Sequence, residues 1–274
     1  MKTIIVPTDF SPAAINAMNY AADMALQINA SLMLVNIYQI PVAVTDTPLV
    51  MVSVEELRKG AEDRLAEMKQ DLTHVTSGKL KVYTEAILGD VVDELQELCE
   101  KINPFAVVMG SMGHTALERT LFGSTTLTVI KHLRWPVIAV PKGKEYGAGI
   151  RKIGLASDFK EVVDSVPFAA IKDFVSTFNA ELHVLNVDYE NKQFKPDTPE
   201  QSVLLHTELE SLKPQYHFIE HPDIEDGINA FAEKNNLDII IAIPKRHKLL
   251  EGLFRKSSTR QLVFESHVPV LCMH

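Results

Sequence analysis

Cysteine and tryptophan are scarce in this chain, and basic residues are outnumbered by acidic ones. Its 274 residues include 2 Cys and 1 Trp, and 27 Lys and Arg against 36 Asp and Glu give a formal net charge of −9. Cys99 and Cys272 lie in different segments without CxxC spacing, so we expect reduced, buried thiols of a cytoplasmic protein rather than a disulfide framework or a zinc site. The acidic balance argues against general nucleic-acid binding, which requires a basic face.

Long apolar runs and the common catalytic patterns are missing as well. No apolar run approaches the roughly 18 residues of a membrane-spanning helix, so we expect no membrane span. The first residues hold only the short apolar run Ile4–Val6 before Pro7, which favours a strand over a signal peptide. No Walker lysine motif, Ser-His-Asp spacing, paired carboxylates or His/Cys metal cluster stands out, so no dedicated enzyme is indicated.

The chain contains a second, weaker copy of its first half. Four segments recur in the same order: Lys2–Phe10 as Arg151–Phe159, Asn29–Asn36 as Asn179–Asn186, Asp90–Leu95 as Asp223–Ile228, and Trp135–Val140 as Val268–Met273. With 46% apolar residues and a mean hydropathy of +0.03, each copy has enough apolar side chains for a core. We therefore predict two tandem domains, 1–142 and 150–274, joined by the glycine-rich stretch Lys142–Gly149.

Continuous apolar strands alternate with helices in each copy, which is typical of a parallel sheet covered on both faces. In the first copy the expected strands are Thr3–Val6, Leu32–Ile37, Leu80–Ala86, Ala106–Met109 and Pro136–Val140. The expected helices run from the Ser11 cap to about Gln27, over Val54–Leu72, from the Asp90 cap to Lys101 and over Ser124–His132, with an extended loop at Pro41–Met51. The fold class is α/β, with two tandem doubly wound domains of five parallel strands each.

Three separate segments end at the same edge of this expected sheet. In doubly wound sheets, ligands bind beyond the carboxyl ends of the strands, near the switch in strand order. Thr8 and Asp9, Ile37 and Gly110 all lie at such ends. We therefore expect these residues to converge on one crevice.

The stretch Gly110–Ser124 is the most informative motif in the chain. Gly110, Gly113 and Gly123 follow a buried strand and, with Ser124, lead into a helix. Glycines let backbone N–H groups approach a ligand closely, and a helix N-terminus attracts anions, so this stretch is a candidate phosphate cradle. The alternatives are a tight strand-to-helix turn for the glycines and simple N-capping for the serine.

These residues resemble the universal stress protein family. The matching features are Pro7–Ser11, Leu34–Ile37, Gly89–Asp90 and Val108–Gly113, and the family's nucleotide signature Gly-x2-Gly-x9-Gly-Ser/Thr is met at Gly110, Gly113, Gly123 and Ser124. The resemblance covers nearly the whole chain, as two family domains in tandem. It implies an adenine nucleotide alpha hydrolase-like fold that binds ATP in the first domain.

In the ATP-binding branch of that family, an aspartate after the first strand and a backbone group of the second strand hold adenine; by position these are Asp9 and Ile37. The resemblance implies a nucleotide site at Pro7, Thr8, Asp9, Ile37, Met109, Gly110, Met112, Gly113, Gly123, Ser124, Thr125 and Thr126. The expected ligand is ATP, or ADP or AMP. Any Mg²⁺ would be held mainly by the nucleotide and water, because no dedicated carboxylate set is present. Asp9 as a turn former, and Ile37 as a core residue, remain open alternatives.

The second copy departs from the signature. It has larger side chains at the three glycine positions: Ile243, Arg246 and Lys256. Ser257 and Asp158 are kept, but the larger side chains would fill the space that ribose and phosphate need. We therefore predict one nucleotide site per chain.

The leading interpretation is a stress-response or regulatory protein that binds an adenine nucleotide in its first domain. The second domain would be a structural or interaction partner, with protein partners unknown. The last strands, Pro136–Val140 and Pro269–Met273, are expected to pair into a pseudo-dimer within one chain, and a further homodimer is compatible with this. The alternatives are a weak ATPase or phosphotransferase, and an interaction scaffold that binds no nucleotide.

Overall fold

The computed structural model describes residues 1–40, 53–111, 123–159, 162–188, 198–244 and 258–274. In the first half these residues form β1 (Thr3–Pro7), α1 (Pro12–Gln27), β2 (Ser31–Tyr38), α2 (Val54–Val75), β3 (Val82–Leu88), α3 (Val91–Ile102), β4 (Ala106–Gly110), α4 (Gly123–His132) and β5 (Val137–Val140). The extended loop expected at Pro41–Met51 lies outside the described residues.

The second half repeats the alternation of strands and helices. Its elements are β6 (Lys152–Ala156), α5 (Val162–Ser165), α6 (Phe168–Phe178), β7 (Glu181–Asp188), α7 (Thr198–Leu209), β8 (Gln215–Glu220), α8 (Ile224–Asn235), β9 (Ile239–Ala242), α9 (Ser258–Glu265) and β10 (Val270–Cys272). The α/β fold class with two tandem units is therefore confirmed.

Local capping signals in the sequence set two helix starts as expected. The Ser11 hydroxyl accepts the N–H of Ala14 at 3.2 Å, with proline at the first helical position of α1. The carboxylate of Asp90 accepts the N–H of Val92 at 2.9 Å at the start of α3. Both bonds satisfy backbone donors that a helix start leaves without an intrahelical partner.

The two boundaries on either side of the turn after α2 differ from the expectation. Helix α2 continues past Leu72 to Val75 and stops before Ser77 and Gly78, which take positive φ values of 52° and 71°. Two left-handed residues in succession cannot continue a right-handed helix. Because the helix and its turn are longer, strand pairing in β3 begins at Val82 rather than at Leu80.

All ten described strands lie in one sheet, in the order β3-β2-β1-β4-β5-β10-β9-β6-β7-β8. Pairs within each half are parallel, and the halves meet where β5 and β10 pair antiparallel. The seam joins Val137, Ile138 and Ala139 to Cys272, Leu271 and Val270. The two strands expected to pair across the duplication therefore do so within the chain.

Apolar side chains cover both faces of the sheet. Alternate strand residues enter two clusters: Leu32 and Leu34 of β2 lie in one, and Met33 and Val35 lie in the other. Cys99 and Cys272 are free and buried in the second cluster, and burial raises the pKa of each thiol to about 12. Both thiols therefore stay protonated at neutral pH.

The stretch between the halves packs against the first domain. Tyr146 contacts Tyr20 edge-on at 4.9 Å between ring centroids, and its hydroxyl donates to the side chain of Gln27. The Gln27 oxygen also accepts the N–H of Ile150 at 3.2 Å. Burial raises the pKa of Tyr146, so its hydroxyl remains a donor.

No helix in the described ranges is long and apolar enough to cross a membrane.

Candidate functional site

The strand order of the first half reverses between β1 and β4. The chain runs from β1 to β2 and β3 on one side, and then crosses back to β4 and β5 on the other. Pro7 and Gly110 are the last residues of the two strands at this switch. Their carboxyl ends therefore flank the crevice in which doubly wound sheets bind ligands.

The loop after β1 is tied to β2. Thr8 is 5% exposed, and its N–H donates to the carbonyl of Val35 at 2.8 Å. The Thr8 carbonyl accepts from Nδ2 of Asn36 at 2.7 Å. Phe10 takes a φ of 65° and donates its N–H to the Thr8 hydroxyl at 3.0 Å. These bonds determine the direction in which the chain leaves the strand.

Asp9 is exposed on this loop. Its Oδ1 accepts the N–H of Ser11 at 2.9 Å, which is an Asx-turn just before α1. The carboxylate therefore forms the turn, as one interpretation of the sequence proposed. Because the residue is exposed, it is also accessible to a ligand that offers an amine.

The backbone of Ile37 faces the same edge of the sheet. Backbone groups of successive strand residues point to alternate sides. The carbonyl of Val35 accepts from Thr8, so odd-numbered residues of β2 point toward β1. The β1–β2 register ends at the pair Pro7 and Val35. The N–H and C=O of Ile37 therefore point past the last rung of that ladder, while its side chain packs against the core.

Asn36 is a residue that the sequence analysis did not assign to the site. Its side chain is 7% exposed and holds the Thr8 carbonyl. Its counterpart Asn186 is 4% exposed and donates to the Ser157 carbonyl at 2.9 Å. The available signal was a single amide inside an apolar strand that recurs in both copies.

The end of β4 is held against α1 and β5. A Cβ added at Gly110 would lie 2.7 Å from the carbonyl oxygen of Ala13, so only glycine allows this close approach. The side chain of Met109 is 7% exposed and lies in the core, and its backbone pairs with Ala139 of β5. Ser111 is 2% exposed, and its N–H donates to the carbonyl of Val140 at 2.7 Å.

The start of α4 is joined to the end of β4. The helix begins with Gly123, Ser124 and Thr125, and Thr125 is exposed. Thr126 is 4% exposed, and its hydroxyl donates to the carbonyl of Gly110 at 3.0 Å. This bond keeps the N-terminus of α4 beside the switch point, where its N–H groups favour an anion. The hydroxyl of Thr126 therefore supports the strand end, and its part in nucleotide binding stays a prediction.

Two of the expected site residues, Met112 and Gly113, lie outside the described residues. They follow directly after Ser111 in the sequence. Their part in the site stays a prediction.

The second half keeps the loop after its first strand. The N–H of Ser157 donates to the carbonyl of Leu185 at 2.9 Å, and its own carbonyl accepts from Asn186. Phe159 takes a φ of 51° and donates to the Ser157 hydroxyl at 3.3 Å. Asp158 stands between them, as Asp9 does in the first half.

In the part of the second half that the structure describes, the other side of the site differs from the first half. Ile243 replaces Gly110, and its half-buried side chain packs against the core. Pro244 replaces Ser111 and has no N–H to donate to β10. The helix after β6 is divided into α5 and α6, where the first half has the continuous α1. Arg246, Lys256 and Ser257 lie outside the described residues.

A histidine pair lies away from the switch point, between β7 and β8. His183 Nδ1 and His217 Nε2 are 3.0 Å apart and share a hydrogen bond, and His183 is 6% exposed. Burial lowers the pKa of both imidazoles, and Glu181 Oε2 lies 3.6 Å from His183 Nε2. Among the described residues, no group of three or more His, Cys, Asp or Glu side chains is arranged to hold a metal ion.

The fold and the candidate site define a class: tandem doubly wound α/β domains with a candidate ligand crevice at the strand-order switch of the first. The family model for universal stress proteins matches residues 1–141 and 149–274. The chain belongs to the universal stress protein family.

Individual relatives agree with this assignment. A universal stress protein of Methanocaldococcus jannaschii is 29% identical over 147 residues, which are 53% of this chain and 84% of the relative. A second one from the same organism is 29% identical over 154 residues, covering 52% of this chain and 95% of the relative. The solved structure of a universal stress protein from Archaeoglobus fulgidus covers 99% of this chain and 95% of its own, with a TM-score of 0.73 and 20% identity. That likeness shows the same fold over both halves.

Proposed function

We propose that the first half of the chain binds an adenine nucleotide, with ATP as the first candidate. The observation that carries the proposal is the orientation of the Ile37 backbone. Its N–H and C=O point past the end of the β1–β2 ladder. One donor and one acceptor side by side match the acceptor nitrogen and the exocyclic amine of adenine. The exposed carboxylate of Asp9, at the same edge, adds an acceptor for the amine. Guanine has a carbonyl where adenine has this amine, so it fits less well.

The ribose and phosphates would lie toward β4 and α4. Gly110 and Gly113 would allow close approach of the backbone, and Gly123, Ser124 and Thr125 would offer the N–H groups of the first turn of α4. This arrangement supplies charge stabilisation without a lysine. Mg²⁺, where present, would be coordinated by the phosphates and water.

The second half would serve as a structural and interaction partner. It keeps the loop around Asp158 but has Ile243 and Pro244 at the end of β9, so this described strand end would offer no equivalent support for ribose and phosphate. Domains 1–142 and 150–274, joined through β5 and β10, would form a pseudo-dimer within one chain. We propose a cytoplasmic regulatory role in the stress response, in which nucleotide occupancy of the first domain is read by partners still to be identified.

Two measurements on the full chain test the proposal. Protein purified without added nucleotide is denatured, and the released small molecules are identified by mass spectrometry. In parallel, melting temperature is recorded with ATP, with GTP and without ligand, each with Mg²⁺. ATP should raise the melting temperature by mass action, and GTP should raise it less. No released adenine nucleotide together with no shift at millimolar ATP would overturn the proposal.

The same samples separate binding from turnover. A nucleotide-binding regulator retains ATP with slow or no release of phosphate. Steady phosphate release that is lost in Gly110→Ile would instead support the weak ATPase alternative.

A further inference from the structure

The two halves differ in how far their first strand pairs with their fourth. In the described strands, β1 and β4 pair at Ile4 with Ala106 and at Ile5 with Val107. The corresponding β6 and β9 pair at Ile153 with Ile239, Gly154 with Ile240 and Leu155 with Ile241. The second half therefore has one additional rung toward the carboxyl end. The first half lacks this rung at Val6 and Val108.

Proline explains the missing rung. The N–H of Thr8 donates toward β2, so the nitrogen of Pro7 points to the other side, toward β4. A rung between Val6 and Val108 would need a hydrogen bond from the nitrogen of residue 7 to the carbonyl of Val108. Proline has no hydrogen there. Its counterpart, Ala156, has one.

The remaining bonds tie the two strand ends of the first half to different neighbours. The end of β1 is tied to β2 by Thr8 and Asn36. The end of β4 is tied to β5 by Ser111 and to α4 by Thr126. In the second half, Pro244 removes the donor that Ser111 provides, so β9 lacks that tie to β10.

We infer that Pro7 is a positioning residue that keeps the carboxyl ends of β1 and β4 apart and so makes room for the nucleotide. The inference rests on the proposed function. Proline acts here because it lacks a backbone donor. The β1–β4 ladder therefore ends one residue pair earlier than the β6–β9 ladder, and the crevice is deeper by that pair. The side chain of Pro7 need not touch the ligand.

The test is a pair of reciprocal substitutions, Pro7→Ala and Ala156→Pro. Pro7→Ala supplies the missing donor, so the β1–β4 ladder should lengthen and ATP affinity should fall about tenfold. The melting temperature should change little, because the gained hydrogen bond and the lost rigidity of proline oppose each other. Ala156→Pro should lower the melting temperature by removing a ladder bond, and should leave ATP affinity unchanged.

Calorimetry with ATP measures the affinity of each variant, and thermal unfolding without ligand measures its melting temperature. Hydrogen exchange of the new amide at position 7 shows directly whether the additional β1–β4 hydrogen bond forms. A protected amide with weakened ATP binding in a fully folded Pro7→Ala supports the inference. Wild-type ATP affinity in Pro7→Ala, or an unprotected amide there, overturns it. A wild-type chain that binds no nucleotide overturns the proposed function instead, while amide protection still reports on the ladder.

Discussion

The first and second halves keep the same hydrogen bonds in the loop after their first strand but differ where their fourth strand ends. Thr8 and Ser157 are held by Asn36 and Asn186 at 2.7 and 2.9 Å. By contrast, Gly110 corresponds to Ile243. The loop bonds occur in both halves, including the second half, which has no glycine at the end of its fourth strand. We infer that the fold itself requires these bonds. At the glycine positions we propose a constraint from the nucleotide, and Gly110 is also constrained by the carbonyl of Ala13 in α1.

The comparison is tested most strongly by Gly110→Ile, which places the second-half residue in the first half. A Cβ there would lie 2.7 Å from the carbonyl oxygen of Ala13, so α1 has to move. We expect ATP affinity to fall more than about 100-fold and the free energy of unfolding to fall by about 1–3 kcal/mol. Calorimetry and urea unfolding measure the two effects.

Ile243→Val is the matched control, because it trims the counterpart residue in the second half. It should lower the free energy of unfolding by about 0.5–1.5 kcal/mol and leave ATP affinity unchanged. Wild-type ATP affinity in Gly110→Ile would contradict a phosphate site at this strand end.

The next effect is expected from Asp9→Asn. Asparagine keeps the oxygen that accepts the N–H of Ser11, so the turn should survive. The charge is lost, and ATP affinity should fall about tenfold, because a hydrogen bond to a charged group is worth about 1.5–3 kcal/mol. The control is Asp158→Asn, which should bind ATP as the wild type does. Equal losses in both variants would show that the two loops do not differ in function.

A smaller difference in ATP affinity is expected between the variants Asn36→Leu and Asn186→Leu. Each removes a buried amide donor and leaves a carbonyl without it, so each should lower the free energy of unfolding by about 1–3 kcal/mol. Only Asn36→Leu should also weaken ATP binding, by a few-fold, since it alone loosens the loop that carries Asp9. Titration at a temperature where both variants are folded separates the effects. An unchanged ATP affinity in Asn36→Leu would limit this asparagine to a structural role.

The smallest expected effect is a dependence of stability on pH that is confined to the second half. Burial lowers the pKa of both His183 and His217 below the ordinary value of 6.5. Glu181 opposes this shift at His183, whereas the charge of His183 adds to it at His217. The unfolded chain therefore binds more protons than the folded one as pH falls through 6.5. Stability should be fully present above that pH and decrease below it. Hydrogen exchange of β7 and β8 amides, corrected for intrinsic rates, measures the loss.

The first half provides the control for the histidine pair. Met33 and Glu85 occupy the corresponding strand positions, so β2 and β3 should lack this pH dependence. His183→Met should remove it from β7 and β8 as well. A pH dependence that survives this substitution would assign the effect to other groups.

Much of the fold could be predicted from the sequence because its signals are local. Ser11 with Pro12 and Asp90 set helix starts through bonds to residues two or three positions away. The end of α2 was missed because Ser77, which is not a usual left-handed residue, takes a positive φ. The candidate site was found by glycine spacing and strand ends. Asn36 was missed because its partner, the carbonyl of Thr8, lies on another strand.

The sequence by itself determined the tandem α/β architecture and the difference between the two halves, because apolar periodicity, repeats and glycine spacing are all readable along one chain. Only the tertiary structure decided which backbone groups lie outside the ladders. That outcome depends on the register between strands distant in sequence, as with Pro7, whose missing N–H matters only because it points toward β4. The tertiary structure also assigned Thr126 to support the end of β4, since its hydroxyl finds the carbonyl of Gly110 only after α4 packs against the sheet.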